Sequence, residues 1–520
     1  MPAYRRASLQ PYPEVSLPAL LHAAARRDGA KPALIVGEQS ITFGQLDGLV
    51  ARCAGALAAL GIGQGSVVGI LLPNSPEFVV AYYGSLLAGA RVCPMNPALR
   101  EREVAHQAAE VGLAALVVDG PREPLAEAVT LQVPTLRHVL VAGGRADQGF
   151  HALLDSAALL RHPPVWEIRE EPAVLPFTSG TVGIPKAAML TQYNLVCNIL
   201  QFLSVSETTD RDIFLNHLPF YHIYGMNLLM SGAIAAGATQ VVMTRFDANE
   251  FFALVARHRP TRFFTVPPAL LALAAHPGIG DRDLSSILYV NSGAAPLPPD
   301  AGRRFERLTG VMVTQGYGLT EASPVTHTNP LDRVKLESVG IPVPDTEQRI
   351  VDPADPEREL PAGQVGELLV RGPQVMKGYW RWPAEDATVF AKDGWLRTGD
   401  LARIDDEGYA YIVDRVKEMI KYKGYGIAPA ELEAALHGHP AVADCAVTGI
   451  PDAIAGEIPK AFVVRRPGIP VAAEELLAYV EASVAPYKRI RAVEFVEQIP
   501  RSPSGKVLRR LLADQATRGG

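Results

Sequence analysis

From Ala33 to Val266 the chain repeats one theme, a short apolar run followed by an Ala/Leu-rich stretch several helical turns long. The runs are Ala33-Leu34-Ile35, Val67 to Leu72, Ala115-Leu116-Val117-Val118, Val139-Leu140-Val141 and Phe263-Phe264-Thr265-Val266, and stretches such as 45–60 and 76–88 separate them. Strands alternating with helices predict an α/β fold of layered subdomains. Near residue 340 the pattern turns strand-rich and turn-rich, through Gly340-Ile341-Pro342-Val343-Pro344, Gly366-Glu367-Leu368-Leu369-Val370 and Trp395-Leu396-Arg397-Thr398-Gly399-Asp400. That predicts a β subdomain closing the large unit. After Tyr411-Ile412-Val413 comes the charged segment Asp414-Arg415-Val416-Lys417-Glu418, then an α+β pattern with strands at 443–449 and 460–465 and helices at 429–437 and 473–483. The expected division is a large N-terminal domain (1–413), a hinge (414–418) and a small mobile α+β C-terminal domain (419–520).

With 520 residues, 48% of them hydrophobic, the chain can bury a large interior and divide into domains. A formal charge of -6 and a pI near 6.1 argue against a surface built to hold nucleic acid, so any anionic ligand must be held by local groups. Cys53, Cys93, Cys197 and Cys445 are far apart, with neither metal-ligand spacing nor the density of a disulfide scaffold. The N-terminus carries Pro11 and Pro13 rather than an apolar run, so a secretory signal is not expected and a cytoplasmic protein is. No charge occurs between His222 and Arg245, long enough in principle for a bilayer. Asn227, Ser231, Thr239 and Gln240, with Gly225, Gly232 and Gly237, instead divide that stretch into a short helix, a turn and a strand at Val241-Val242-Met243, which predicts buried core.

Past the apolar run Ala173 to Phe177 stands Thr178-Ser179-Gly180-Thr181-Val182-Gly183-Ile184-Pro185-Lys186. Glycines let backbone N–H groups converge on a phosphate, hydroxyls add donors and the lysine neutralises charge. It is not the common P-loop, because Ile184 and Pro185 separate Gly183 from Lys186. Taken alone, a Gly/Ser/Thr turn without a ligand explains it equally well.

Other motifs follow in order: Leu218-Pro219-Phe220-Tyr221-His222-Ile223-Tyr224-Gly225, Asn291-Ser292-Gly293-Ala294-Ala295-Pro296-Leu297 and Gln315-Gly316-Tyr317-Gly318-Leu319-Thr320-Glu321. Then come Thr398-Gly399-Asp400, Asp414 to Gly424 and Pro500-Arg501-Ser502-Pro503-Ser504-Gly505-Lys506. Together they resemble the adenylate-forming superfamily of acyl-CoA synthetases, peptide-synthetase adenylation domains and beetle luciferases, from about residue 14 to residue 510. The resemblance implies ATP, Mg2+ and coenzyme A as cofactors and co-substrate, and an acid activated as its acyl-adenylate before transfer to a thiol.

It also implies roles. Thr178, Ser179, Gly180, Thr181, Gly183 and Lys186 would cradle the triphosphate. Tyr317, between Gly316 and Gly318, would stack the purine, with Gly293, Ala294 and Ala295 at its other edge and Gln315 and Thr320 nearby. Glu321, with Thr181, would ligate Mg2+. Asp400 would accept from the ribose hydroxyls, with Ile412, Arg415 and Lys417 as further nucleotide contacts. His222 would orient the reacting carboxylate. Lys506 would bridge that carboxylate and the α-phosphate in a first pose; rotation at Lys417 would then bring Lys421, with the CoA contacts Lys423 and Gly424, into a second. Three positions depart from the family: Val182 for the second threonine, Ala187 for the glycine after Lys186, and Gly426 where related ligases commonly have glutamine.

Tyr224, Asn227, Val266, Gly293, Gly318 and Val325 are the expected acyl-pocket residues, in segments whose only charged residue is the flanking Glu321. A second charge on the acid would be unpaired there, which favours an apolar monocarboxylate; the motif wording most resembles the branch of 4-coumarate:CoA ligases and medium- to long-chain fatty acyl-CoA synthetases, which implies a fatty acid first and an arylpropenoic acid second. Loading of a carrier-protein thiol stays open, luciferase-type oxidation is a further branch, and a nucleotide-binding homologue without catalysis is the alternative from another class.

Overall fold

The computed structural model describes residues 6–143, 149–160, 163–178, 185–416, 418–422, 425–452, 455–502 and 505–518. Ser179, Gly180, Thr181, Val182 and Gly183 of the phosphate loop, the expected pivot Lys417 and the expected CoA contacts Lys423 and Gly424 lie outside them.

Two largely parallel sheets build most of the large domain, antiparallel only towards their edges. In the first the order is Ile341–Pro342, Val325–Thr328, Met312–Gly318, Tyr289–Ser292, Arg262–Thr265, Ile213–Asn216, Thr239–Val242, Pro32–Val36 and Gln39–Thr42. In the second it is Leu190–Thr191, Pro172–Val174, Arg91–Pro94, Val67–Leu71, Ala115–Asp119 and His138–Ala142. All five residues of Val67–Leu71 are buried, as expected of a parallel strand covered on both faces. Helices between the sheets supply the covering. Phe43–Ala59 starts at a capping box of Thr42 and Gln45, and Pro76–Leu87 starts at Ser75 with proline in its first turn. Pro76–Leu87 is buried nearly all round, with Tyr82 and Tyr83 at its centre.

The uncharged stretch is core, as its glycines and amides predict. Tyr224–Ser231 forms a π-helical segment, Gly232–Ala236 continues it as α-helix, Gly237 turns at φ 76° and Thr239–Val242 is a central strand. Among the described residues no helix is long and apolar enough to cross a membrane. The four cysteines are free and buried.

A third, antiparallel sheet carries Glu347–Asp352, Gly366–Arg371 and Trp395–Ile404, with Ala410–Arg415 paired to Trp395–Ile404. That last pairing reaches Asp400↔Arg415, so the strand continues into the segment expected as the hinge. The C-terminal unit is a sheet of Tyr425–Ile427, Ile420–Tyr422, Gly456–Arg465 and Val442–Asp452, with Ala492–Phe495 alongside, covered by the helices Pro429–His437 and Ala473–Glu481. Its core is Leu432, Leu436, Val447, Val463, Leu476 and their neighbours.

Candidate active site

Parallel α/β sheets present their ligands at the carboxyl ends of the strands, where chain leaves the sheet with spare backbone donors. Here Tyr289–Ser292 ends in Gly293-Ala294, Ile213–Asn216 leads to His222, and Met312–Gly318 ends in Tyr317-Gly318. These loops, the third sheet and the C-terminal unit enclose a cavity of about 1130 Å3. Close approach dictates glycine at 318 and leaves little room for a side chain at 293. A Cβ on Gly318 would lie 2.1 Å from the Pro324 carbonyl oxygen, and one on Gly293 would meet the Tyr224 ring at 3.2 Å.

At one end of the cavity, the Tyr317 hydroxyl donates to Asp400 at 2.5 Å, and the Arg415 guanidinium meets the other oxygen of Asp400 at 3.0 Å. Burial pushes the Asp400 carboxyl up, while Arg415 and the Tyr317 hydroxyl pull it back. Burial, with the Asp400 charge beside it, holds the Tyr317 phenol well above its ordinary range. The Asp400 turn is braced from below by Glu367, which is 2% exposed. One Glu367 oxygen accepts from Arg397 and the other from the Gly399 N–H at 3.2 Å.

Beside it, the Tyr379 hydroxyl donates to Glu321 Oε1 at 2.6 Å, which orients that carboxylate on the cavity wall. One oriented carboxylate fits Mg2+, which keeps several waters and takes further oxygens from phosphate. Among the described residues no cluster of three or more His, Cys, Asp or Glu could hold a metal by itself.

His222 lines the cavity, and its Nδ1 accepts the Tyr224 N–H at 3.3 Å. That partner assigns the ring proton to Nε2. Burial lowers the His222 pKa to about 4, so the ring is neutral near pH 7. Lys506 reaches the same cavity from the C-terminal unit and forms no ion pair among the described residues. Burial, reinforced by Arg415, pushes its ammonium down, against the pull of Glu418 and Asp400.

Thr178, Thr320, Glu321, Gly293, Ala294, Gly316, Tyr317, Gly318, Tyr224, Val325, His222, Arg415 and Lys506 thus share one cavity wall. Other expected residues do not. The Gln315 amide is spent on the Leu297 N–H and the Leu336 carbonyl, and Asn227 donates to the Leu195 and Ser323 carbonyls. Ile412 packs on the hydrophobic core, Ala295 lies beyond the cavity edge, and Val266 faces a separate groove beside Gly505. Lys421 is exposed, its backbone N–H donating to Glu457 at 2.7 Å. Lys186 is buried behind the wall. Glu367, Tyr379, Glu385 and the inner apolar residues Phe202, Val205 and Tyr289 also line the cavity, and no sequence motif marks them as site residues. Gly426 leaves room for Met419, whose methyl would lie 2.7 Å from a Cβ there.

The buried imidazoles limit acid stability. Burial lowers His217 to about 3 and His222 and His327 to about 4, from 6.5. Such groups protonate first in the unfolded chain, so their contribution is complete above pH 6.5 and is lost as pH falls towards 4. Asp414, raised by burial from 3.8 to about 6, acts oppositely, its contribution being complete below pH 3.8 and lost as pH rises through 6. The imidazoles outnumber it. Unfolding should become easier by about 2 kcal/mol between pH 6 and pH 5, read as a lower urea midpoint. A midpoint constant over that interval would mean that the imidazoles are not held neutral.

The AMP-binding enzyme model matches residues 21–380, and the AMP-binding enzyme C-terminal domain model matches residues 431–506. The chain belongs to the AMP-binding enzyme family. It is 39% identical over 513 residues to 4-coumarate--CoA ligase 5 of Oryza sativa subsp. japonica, covering 95% of this chain and 93% of that one. It is 35% identical over 541 residues to the long-chain-fatty-acid--CoA ligase of Bacillus subtilis, covering 98% and 96%. The solved structure of the anthranilate CoA ligase AuaEII in complex with anthranoyl-AMP superposes with TM-score 0.90 at 26% identity, covering 98% of this chain and 99% of that chain. This family member is therefore an ATP-dependent, AMP-forming acid–thiol ligase of the acyl/aryl-CoA ligase superfamily, with the large and small domains of the adenylate-forming enzymes.

Proposed function

We propose that this ligase activates an apolar monocarboxylic acid with ATP and Mg2+ and transfers the acyl group to coenzyme A, a medium- or long-chain fatty acid being the first choice. The observation that carries the reading is the division of the cavity wall. Its charged groups, among them Glu321, Arg415, Glu418 and Lys506, gather towards the nucleotide end, whereas Phe202, Val205, Leu228, Phe264, Tyr289 and Leu331 bring no charge. A tail lodged among those side chains gains by burial and would leave any second charge unpaired. The aromatic cluster favours a second reading, an arylpropenoic acid, because Phe202 meets Phe264 edge-on at 5.1 Å and Phe264 meets Tyr289 at 5.9 Å.

In the first step the carboxylate attacks the α-phosphorus and pyrophosphate leaves. Lys506 neutralises charge between carboxylate and α-phosphate, Asp400 accepts from the ribose, Tyr317 stacks on the purine and neutral His222 orients the carboxylate. Glu321 would hold Mg2+, which supplies charge neutralisation to the phosphates. In the second step the thiol attacks the acyl carbon and AMP leaves. Lys506 inside the cavity and Lys421 outside it support a two-pose scheme in which the C-terminal unit turns at 414–418 between the steps.

AMP release with CoA and a panel of fatty and arylpropenoic acids tests the reading; AMP formed only with dicarboxylic or amino acids would overturn the acid class. Phe202→Ala, which lengthens the apolar end, should move kcat/KM towards acids longer by several carbons, by about tenfold, at a folding cost of about 3 kcal/mol. An unaltered chain-length profile in the folded variant would mean that the tail does not reach Phe202.

A further inference from the structure

Lys186 closes the phosphate-loop motif, yet its ammonium is engaged within the protein. Nζ lies 2.6 Å from Glu385 Oε2, with the Trp382 ring centroid at 5.3 Å and that of Tyr379 at 5.8 Å. The pair is unequal. The Lys186 side chain is 10% exposed and Glu385 is 38% exposed, and Glu385 belongs to the wall of the main cavity.

The frame around the pair is rigid. Segment 377–380 is stitched to 187–189 by the bonds Met189 N–H to Gly378, Lys377 N–H to Met189 and Trp380 N–H to Ala187. The helix Pro383–Val389 is fixed to the same segment, since Asp386 accepts the Tyr379 N–H at 2.7 Å, and Trp382 is anchored by its indole N–H on Glu110 at 2.6 Å. The lysine cannot retreat from this aromatic seat, whereas the more exposed carboxylate can turn outward. Glu321, across Tyr379, has a use in this site through the metal; a second carboxylate against a triphosphate only repels it.

We propose that Glu385 competes with the terminal phosphates of the nucleotide for Lys186: it holds the ammonium in place, is displaced when the triphosphate arrives and retakes the lysine as pyrophosphate leaves. This rests on the expectation that Lys186 belongs to the triphosphate cradle, so that the terminal phosphates reach its ammonium once Glu385 has turned away. The competition lowers affinity for ATP and for pyrophosphate together and leaves AMP, which has neither phosphate, untouched.

The test is equilibrium binding of Mg-ATP, Mg-pyrophosphate and AMP to the full chain without acid, for wild type, Glu385→Gln and Glu385→Ala. Both variants should bind ATP and pyrophosphate about fivefold more tightly at low salt, with the gain shrinking as salt rises and AMP affinity unchanged. Weaker ATP binding with AMP unchanged would overturn the proposal by making Glu385 a contributor through the metal. Equal shifts in ATP and AMP would overturn it by making Glu385 a support of the fold, and no shift would make it idle. If wild type releases no pyrophosphate with any acid, the ligase reading falls together with this one; if it does so and the variants bind as wild type, the competition alone falls.

Discussion

Lys506→Ala should lose acyl-adenylate formation by about two to three decades in kcat while retaining most of the thioester step from supplied acyl-adenylate. The cavity supplies the reason. Arg415 is tied to Asp400, and Lys186 to Glu385, so among the described residues Lys506 is a cavity cation without an ion-pair partner. Its depressed pKa means that holding the proton in this pocket is already costly, and a developing negative charge beside it relieves that cost. Pyrophosphate exchange measures the first step, and CoA consumption from synthetic acyl-adenylate measures the second. Equal losses in both would break the division of labour between Lys506 and Lys421, and with it the two-pose scheme.

The fold was legible because burial in parallel sheets leaves a mark on sequence. Val67 to Leu72 and Ala115 to Val118 have nowhere polar to face, and both became interior strands. The small domain followed the same logic, with Pro429–His437 and Ala473–Glu481 close to the predicted helices. The site was legible to the level of the loop but less to the level of the atom. A motif says which strand end borders the ligand, not which atoms are already spent: Gln315 gives its amide to Leu297 and Leu336, and Asn227 gives its own to two carbonyls. What was missed lies in pairings across long separations. Tyr379 reaches Glu321, Glu385 reaches Lys186, and Glu367 braces Gly399, each between segments whose local patterns read only as strand, turn or exposed helix. Phe202 and Val205 were passed over because, on the helix Gln192–Val205, they look like any core positions. Nothing in a helical period distinguishes a side chain that packs on a neighbour from one that packs on a substrate.

The triad of Tyr317, Asp400 and Arg415 makes the second large prediction. Asp400→Asn keeps the volume but replaces an acceptor-only carboxylate with an amide that offers one oxygen and one NH2. The Arg415 guanidinium, a donor only, can keep the amide oxygen, and the Tyr317 hydroxyl must then turn from donating to accepting from the NH2 group, while Arg415 loses the charge that paired it. Breaking a buried pair by altering one partner leaves the other charge uncompensated, at a cost of about 3 kcal/mol or more. Part of that cost should appear as stability and part as nucleotide binding, because the residue proposed to accept from the ribose hydroxyls loses one of its two acceptor oxygens. The KM for ATP should rise by about two decades while the KM for the acid changes little, since the apolar end of the cavity is untouched. The measurement that isolates the ribose contact compares ATP with its 2′,3′-dideoxy analogue in pyrophosphate exchange. Wild type should discriminate between them strongly, and Asp400→Asn should treat them nearly alike. A variant that still prefers ATP by the parental ratio would show that the ribose is read elsewhere and that Asp400 serves only to seat Arg415 and Tyr317.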